Sequence, residues 1–299
     1  MTLLQLEYLV ALDTYRHFGR AADVCHVSQP SLSEQIQKLE ERLGVILFDR
    51  SVRPIVPTAL GEQVIAHARI VLAEAARLEA VVQEATGEMS GGLRIGILGT
   101  IAPYLLPIII QEYGRRFPNV ELTFDELRFD EIIERLRRDL LDAGIVATSY
   151  EAPDIIEKPL YEEPLVGYVA VGHRLYQKER IRPDDLDPSD LWLMSPGHCF
   201  RERVLQLLPP NERQSGGASF ESGNLETLQR LVDRGKGMTL LPWLAVTGEG
   251  SHSPQSVRPF EDPKPVRTIR MVHSRISLKK HLIRGLRQTV VAAVEPYLP

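Results

Sequence analysis

Residues 18–36 read FGRAADVCHVSQPSLSEQI. Phe18, Ala21, Ala22, Val24, Val27, Leu32, Ile36 and Leu39 supply the apolar set of a small helical domain. Ala21 and Ala22 are small enough to let two helices cross closely. His26 and Val27 fall where a short turn belongs, and Ser28 can cap the helix that follows. Pro30 sits in that helix's first turn, where its missing N–H is harmless. The second helix then presents Gln29, Ser31, Ser33, Gln35 and Lys38. These short or amide side chains can reach base edges in a major groove. The order is that of a helix-turn-helix with the second helix as reader.

Outward from that stretch, LGVILFDRSVRPIVPT (43–58) has the look of a wing. Short strands would flank a turn holding Arg50 and Arg53, placed to reach phosphate or the minor groove. Charge alone does not make this module a DNA binder. Within 16–57 the basic Arg16, Arg20, Lys38, Arg42, Arg50 and Arg53 face the acidic Asp23, Glu34, Glu40, Glu41 and Asp49. One unit of positive charge remains, so affinity would need an oligomer that sums several phosphate contacts. A helical interaction module without DNA is the plainer alternative. Turn, cap, reader and wing occurring in order favour DNA.

The whole chain is 299 residues with a net charge of −5, long enough for two domains or more. Its composition, 43% hydrophobic and 25% charged, is that of a globular protein and not of a disordered one. No run of about 18 uncharged apolar residues offers a membrane span. The first residues, MTLLQLEYLVALDTYR, carry Glu7 and Asp13 and lack a basic start, so they do not read as a signal peptide. A cytoplasmic protein with no membrane partner is expected. Two cysteines, Cys25 and Cys199, cannot build a disulfide scaffold or a Cys-rich metal site. Neither a catalytic constellation, a metal site nor a cofactor site is expected.

Three regions separate: 1–57, 58–90 and 91–299. From Thr58, a plausible N-cap, to about residue 88 the chain reads as one helix. Val64, Ala68, Val71, Ala75, Leu78 and Val82 form a stripe along it. At roughly 30 residues it would span about 45 Å, and a stripe of that length asks for a partner helix. Val64, Val71 and Leu78 are therefore dimerisation candidates, against the alternative of a helix packed on its own domain. Gly87, Gly91 and Gly92 mark a hinge. Beyond it, LRIGIL (93–98), a helix from Pro103, VELTFDE (120–126), a helix over 129–142 and a strand at 143–147 give βαβαβ order and a parallel sheet. Pro159 to Pro164 interrupt the pattern. LVGYVAV (165–171), LWLM (191–194), GASFE (217–221) and MTLLP (238–242) are strands of a second half, with helices after Cys199 and over 224–233. Residues 251–265 read as surface loop, and TIRMVHS (268–274) with a helix from about Leu278 closes the chain. Two lobes result, about 91–162 plus 268–299 and about 163–267. A ligand cleft lies between them.

The stretch LEYLVALDTYRHFGRAADVCHVSQPSLSEQIQKLEERLGVILFDRS (6–51), with Thr58-x-x-Gly61, closely resembles the LysR-type transcriptional regulators. The likeness covers the whole chain. It implies a winged helix-turn-helix, a linker helix and a two-lobed α/β domain like that of periplasmic binding proteins. It also implies promoter DNA as partner, a homodimer or homotetramer, contact with RNA polymerase, and a small effector or chemical signal in the cleft. Four stretches resemble the peroxide-sensing OxyR branch: ILGTIAPYLLP (97–107), SPGHCFR (195–201), residues 224–246 and VRTIRMV (266–272). The resemblance implies that Cys199 is a peroxide-reactive thiol and that Thr100 assists peroxide reduction.

Peroxide attack requires a thiolate. His198 and Arg201 flank Cys199, and Gly197 precedes what reads as a helix start, which also favours thiolate. Two features depart from the branch. No resolving cysteine follows Cys199, and Phe129 stands where a second threonine is expected. An internal disulfide switch is thus absent from this region. Cys25 is read as a small buried hydrophobe of the helix-turn-helix. Two readings of Cys199 stay open: a one-cysteine sensor, or a pocket residue in a regulator that answers a small molecule without redox chemistry. Asn224 is read as the N-cap of a cleft-edge helix, the kind of terminus that suits an anionic effector.

Overall fold

The computed structural model describes residues 1–86, 89–208, 221–235, 237–247, 253–277 and 279–299. Three helices open it: α1 (Leu3–Tyr15), α2 (Phe18–Val24) and α3 (Gln29–Leu43). Thr2 and Gln5 cap α1 reciprocally, each side chain accepting the other's backbone N–H. The turn after α2 is made at His26, whose φ is 53°. Leu32, Ile36 and Leu39 of α3 are fully buried against Leu9, Leu12 and Ala21, each worth about 1.5–3 kcal/mol of burial. Strands β1 (Phe48–Asp49) and β2 (Val56–Pro57) then pair antiparallel as a two-residue wing.

Helix α4 (Ala59–Thr86) follows. Thr58 Oγ1 accepts from Gly61 N at 2.9 Å and donates to Ile46 O at 2.9 Å, tying the helix start to the base of the wing. Glycine is required at 61, since a Cβ there would lie 2.0 Å from Leu47 O. The apolar stripe of α4 does not stay on one face. Ala68 is buried in the helical core and Val64 packs on it beside Ile65 and Leu72, while Val71 (43%) and Leu78 (73%) stand exposed. The first turns thus serve their own domain, and only the later part presents a free face. The side chain of Val82 lies outside the described residues, as does Gly87.

The α/β part begins with β3 (Ser90–Leu98), α5 (Ala102–Arg116), β4 (Asn119–Leu127), α6 (Phe129–Arg137) and β5 (Ala143–Val146). Strand β3 is parallel to β4 and to β5, as the βαβαβ order requires. Gly91 and Gly92 are not a free hinge: β3 pairs from Ser90 onward, with Gly91 opposite Val120. Next come β6 (Ile155–Val169), β7 (Leu193–Met194), α7 (Cys199–Leu205), β8 (Glu221–Ser222) and α8 (Leu225–Asp233). Then follow β9 (Met238–Pro242), β10 (Val257–Pro259), β11 (Val266–Ser274) and α9 (Lys280–Val294).

Pro159 and Pro164 do not interrupt the sheet. Strand β6 runs through both, antiparallel to β11, with a register shift that leaves Leu160 unpaired beside Pro159. A bulge is where a residue without an N–H costs least. The sheet is therefore mixed rather than parallel, ordered β10-β6-β11-β5-β3-β4 with β9 also on β6. Strand β6 belongs to both halves: its start pairs with β11, its end with β9 and β10. One apolar core gathers on β3, β5 and α9, and a second on β6, β9 and α8. Residues 257–259, expected in a loop, form β10 because β6 offers them a free edge. Of the expected strand at 217–221, residues 217–220 lie outside the described residues, as does Leu278. LWLM shrinks to Leu193–Met194, and the helix over 129–142 stops at Arg137.

Candidate functional site

Two regions carry the chemistry. On the helical domain, Ser28 Oγ accepts from Ser31 N at 3.3 Å and Pro30 occupies the first turn of α3, so the local sequence starts the helix as read. With Leu32, Ile36 and Leu39 inward, the exposed residues in the first three turns are Gln29, Pro30, Glu34, Gln37 and Lys38, and Glu41, Arg42 and Leu43 are exposed at the far end. Ser31 and Ser33 are half-buried flanks. Gln35 is half-buried too, and its Oε1 accepts from Gln5 Nε2 at 3.2 Å, so it braces α1 rather than standing free as a reader. Sequence reasoning passed over Glu34 and Gln37 by favouring residue type over helical angle. Lys38 pairs with Glu34 at 2.7 Å.

The wing arginines differ. Arg50 pairs with Glu40 at 2.7 Å and lies over the Phe18 ring, while the other Glu40 oxygen accepts from Leu47 N. Arg50 thus ties the wing to α3. Arg53 is exposed, as is Arg20 at the start of α2, and among the described residues neither has an acidic partner. His17, Arg20, Gln29, Arg50 and Arg53 border one groove of about 630 Å³ between the helices and the wing.

The second region is the cleft. Thr100 follows β3, Arg128 precedes α6, and His198 holds the N-cap position of α7 without a side-chain capping bond, with Cys199 as the helix's first residue. Thr100, Arg128, Phe129, Gly197, His198 and Cys199 line one cavity of about 220 Å³. Cys199 and Thr100, from distant parts of the chain, are thus brought together. Phe129 fills its side with a ring stacked edge-on to Tyr150 at 5.6 Å.

The two cations expected beside Cys199 are placed otherwise. Burial, aided by the nearby Arg128 charge, holds the His198 pKa below its ordinary 6.5, leaving the imidazole neutral at pH 7. Arg201 Nη1 donates to Met194 O at 2.7 Å, bracing α7 on β7. Arg128 and Arg267 are the positive groups sequence reasoning missed. Arg128 Nη2 donates to Gly197 O at 2.9 Å across the cleft. Arg267 is 4% exposed and pairs at 2.8 Å with Glu163, which is fully buried. The same guanidinium donates to Thr100 O at 3.0 Å and Oγ1 at 3.4 Å, and lies over Phe200. Thr100 therefore accepts from Arg267 and keeps its own hydroxyl proton to donate. Glu163 also accepts from Leu244 N at 2.9 Å, so the buried pair is well satisfied. The stretch VRTIRMV held the signal for Arg267: a charged residue inside an apolar strand must find a buried partner.

Burial likewise pushes Tyr104 up to about 12. His173 Nε2 lies 2.7 Å from Asp190 Oδ2. Asn224 caps α8, its Oδ1 accepting from Glu226 N at 2.7 Å. Cys25 packs against the helical core, and burial with the nearby Glu7 charge raises its thiol pKa. Among the described residues no cluster of His, Cys, Asp and Glu could hold a metal.

A capped reading helix, a wing and a two-lobed domain with a ligand-sized cleft define a helix-turn-helix transcription regulator. Residues 3–62 match the model of the bacterial regulatory helix-turn-helix protein, lysR family, and residues 86–295 match the LysR substrate binding domain. The chain belongs to the LysR family of regulators, which are not enzymes. It is 38% identical over 277 residues to the DNA-binding transcriptional dual regulator OxyR of Escherichia coli, covering 91% of this chain and 89% of that one. It is 39% identical over 276 residues to the hydrogen peroxide-inducible genes activator of Dickeya chrysanthemi, covering 91% and 89%. Full-length OxyR of Pseudomonas aeruginosa, solved as a cysteine-to-aspartate variant, superposes with a TM-score of 0.80 at 34% identity, covering 97% and 98%. A Corynebacterium glutamicum OxyR variant solved with hydrogen peroxide bound superposes at 0.65 and 29% identity, covering 99% and 94%. Among the described residues no helix is long and apolar enough to cross a membrane.

Proposed function

We propose that the protein is a hydrogen peroxide-responsive regulator that senses through Cys199 alone and binds promoter DNA through α3 and the wing. The observation that carries this reading is the shared cavity of Cys199, His198 and Thr100, in a chain whose relatives are named for peroxide response. The neutral His198 takes the thiol proton. Thr100, oriented by Arg267, donates to the peroxide. The thiolate attacks one peroxide oxygen, giving a sulfenic acid and water. With no resolving cysteine after Cys199, the signal is the oxidised sulfur itself or its mixed disulfide with a small thiol.

The reading extends to the whole chain. Residues 1–57, 58–90 and 91–299 act as reader, linker and sensor, the last with lobes 91–162 plus 268–299 and 163–267. Ser28, Gln29, Pro30, Ser31, Ser33 and Lys38 face or frame the bases. Arg53, with Arg20, takes phosphate. Val71 and Leu78 join protomers into a dimer and then a tetramer, which contacts RNA polymerase in the cytoplasm. A second reading has its own observation. Beyond Cys199, Ser149, Arg203, Gln206 and Thr268 border a cavity of about 400 Å³, room for a small effector. Peroxide titration of promoter binding, wild type against Cys199→Ser, separates the two. Peroxide dependence lost in Cys199→Ser supports the sensor, and no peroxide effect in either protein turns the search to small molecules.

A further inference from the structure

One cation in the cleft enters the chemistry above only through its charge on His198, whose neutral form is set first by burial. Arg128 stands at the junction of β4 and α6, on the side built around the first core. Its Nη2 holds the Gly197 carbonyl on the opposite side at 2.9 Å. The approach is close: Gly197 has φ +83°, and a Cβ there would lie 2.0 Å from that nitrogen. The charge also reaches the next residue, where it helps keep His198 neutral. Arg128, Gly197, His198 and Cys199 border the same cavity. Cys199 packs against the first core and its neighbour Phe200 is buried in the second. A polar group added at Cys199 therefore arises at the seam between the lobes, in the cavity that one exposed guanidinium borders. Beside it Phe129 offers no donor.

We infer that Arg128 reads the oxidation state of Cys199, giving up the Gly197 carbonyl for an oxyanion formed on the Cys199 sulfur. The inference rests on the peroxide reading of this site. In the chemical step a thiolate electron pair forms the S–O bond as the peroxide O–O bond breaks. The departing hydroxide takes the proton that left the thiol and becomes water. Sulfur loses two electrons and peroxide gains them. The sulfenic acid, once deprotonated, carries a negative oxygen, as does the sulfinate a second peroxide would give. A guanidinium binds an anion more strongly than a neutral carbonyl. The backbone of 195–198 then loses its hydrogen bond from Arg128, and the contact across the cleft passes to the Cys199 side chain. The two states then differ in a contact that oxidation favours in one only, which is what a switch requires. Arg128 is exposed, so salt weakens the exchange.

The test uses the full-length protein. Cys199→Asp supplies a fixed carboxylate without peroxide, with Cys199→Ser as its neutral partner. Each is made with and without Arg128→Gln, and backbone hydrogen exchange is read over 195–201. Cys199→Asp should exchange at least about threefold faster there than Cys199→Ser, and Arg128→Gln should abolish that difference. Wild type after peroxide should show the same acceleration, while Arg128→Gln should still form the oxidised Cys199 without it, burial alone keeping His198 neutral. Acceleration that persists with Arg128→Gln, or none in Cys199→Asp, overturns the inference even if Cys199 oxidises. Loss of Cys199 oxidation in Arg128→Gln also overturns it, since Arg128 would then act in the reaction rather than in reading it. If wild-type Cys199 resists peroxide while the aspartate series behaves as expected, the peroxide reading falls and the anion response stands.

Discussion

Replacing Arg267 by methionine strands Glu163. The carboxylate is fully buried and loses its 2.8 Å contacts, keeping only Leu244 N. Thr100 loses its two guanidinium donors as well. Removing one partner of a buried pair costs about 3–5 kcal/mol, because the remaining charge has no compensation. For a unit of 150–250 residues each kcal/mol is worth about 2–4 °C. The unfolding midpoint of the α/β part should therefore drop by about 6–20 °C. Tryptophan fluorescence reads it directly, since Trp192 and Trp243 are the chain's two tryptophans and both lie there. Adding Glu163→Leu to Arg267→Met should recover most of the loss, because no charge is then left buried. A single variant melting within about 2 °C of wild type, or a double variant no more stable than the single, would refute the reasoning.

Leu78→Glu should give monomers by light scattering without loss of helical stability, since Leu78 touches no core, whereas Ala68→Glu should unfold the helical domain. Dimers that persist in Leu78→Glu would move the interface elsewhere. Arg20→Ala and Arg53→Ala should each flatten the salt dependence of DNA binding by about 0.9 in log–log slope for every DNA-bound protomer. Arg50→Ala should cost stability first, through loss of Glu40; an unchanged slope in Arg20→Ala would remove it from the phosphate contacts. Burial lowers the pKa of both His198 and His273 below 6.5 in the folded chain. The neutral forms are thus favoured by folding, so stability is full above about pH 6.5 and falls as pH drops through the lowered values. Denaturant midpoints of His273→Phe measured from pH 8 to 5 should fall less steeply than those of wild type, and an identical slope would contradict the assignment.

The elements near the reading helix were legible because local chemistry decides them. Ser28, Pro30 and the stripe of Leu32, Ile36 and Leu39 admit one helix start and one buried face. Thr58 and Gly61 act within one turn of each other. What distance in sequence hid was long-range pairing. Pro159 read as an interruption because nothing nearby shows that Arg270 lies opposite and that a bulge absorbs it. The stripe on α4 looked continuous because periodicity cannot tell which turns rest on α1. At the cleft, Cys199 and Thr100 stood out by motif. Arg128 and Arg267 did not, since their roles exist only once Gly197 and Glu163 are folded against them. Arg201, two residues after the cysteine in sequence, proved to brace Met194 instead.

The most direct test of the one-cysteine account is the rate at which hydrogen peroxide oxidises Cys199, with Cys25 as the thiol inside the same chain for reference. Burial and Glu7 hold Cys25 protonated, so it should react slowly. Peptide-level mass spectrometry after brief exposure to substoichiometric peroxide reads both. The account predicts that Cys199 is consumed at least about a hundredfold faster than Cys25, first as sulfenic acid, and that Thr100→Val slows it. Equal, slow loss of both thiols would contradict it.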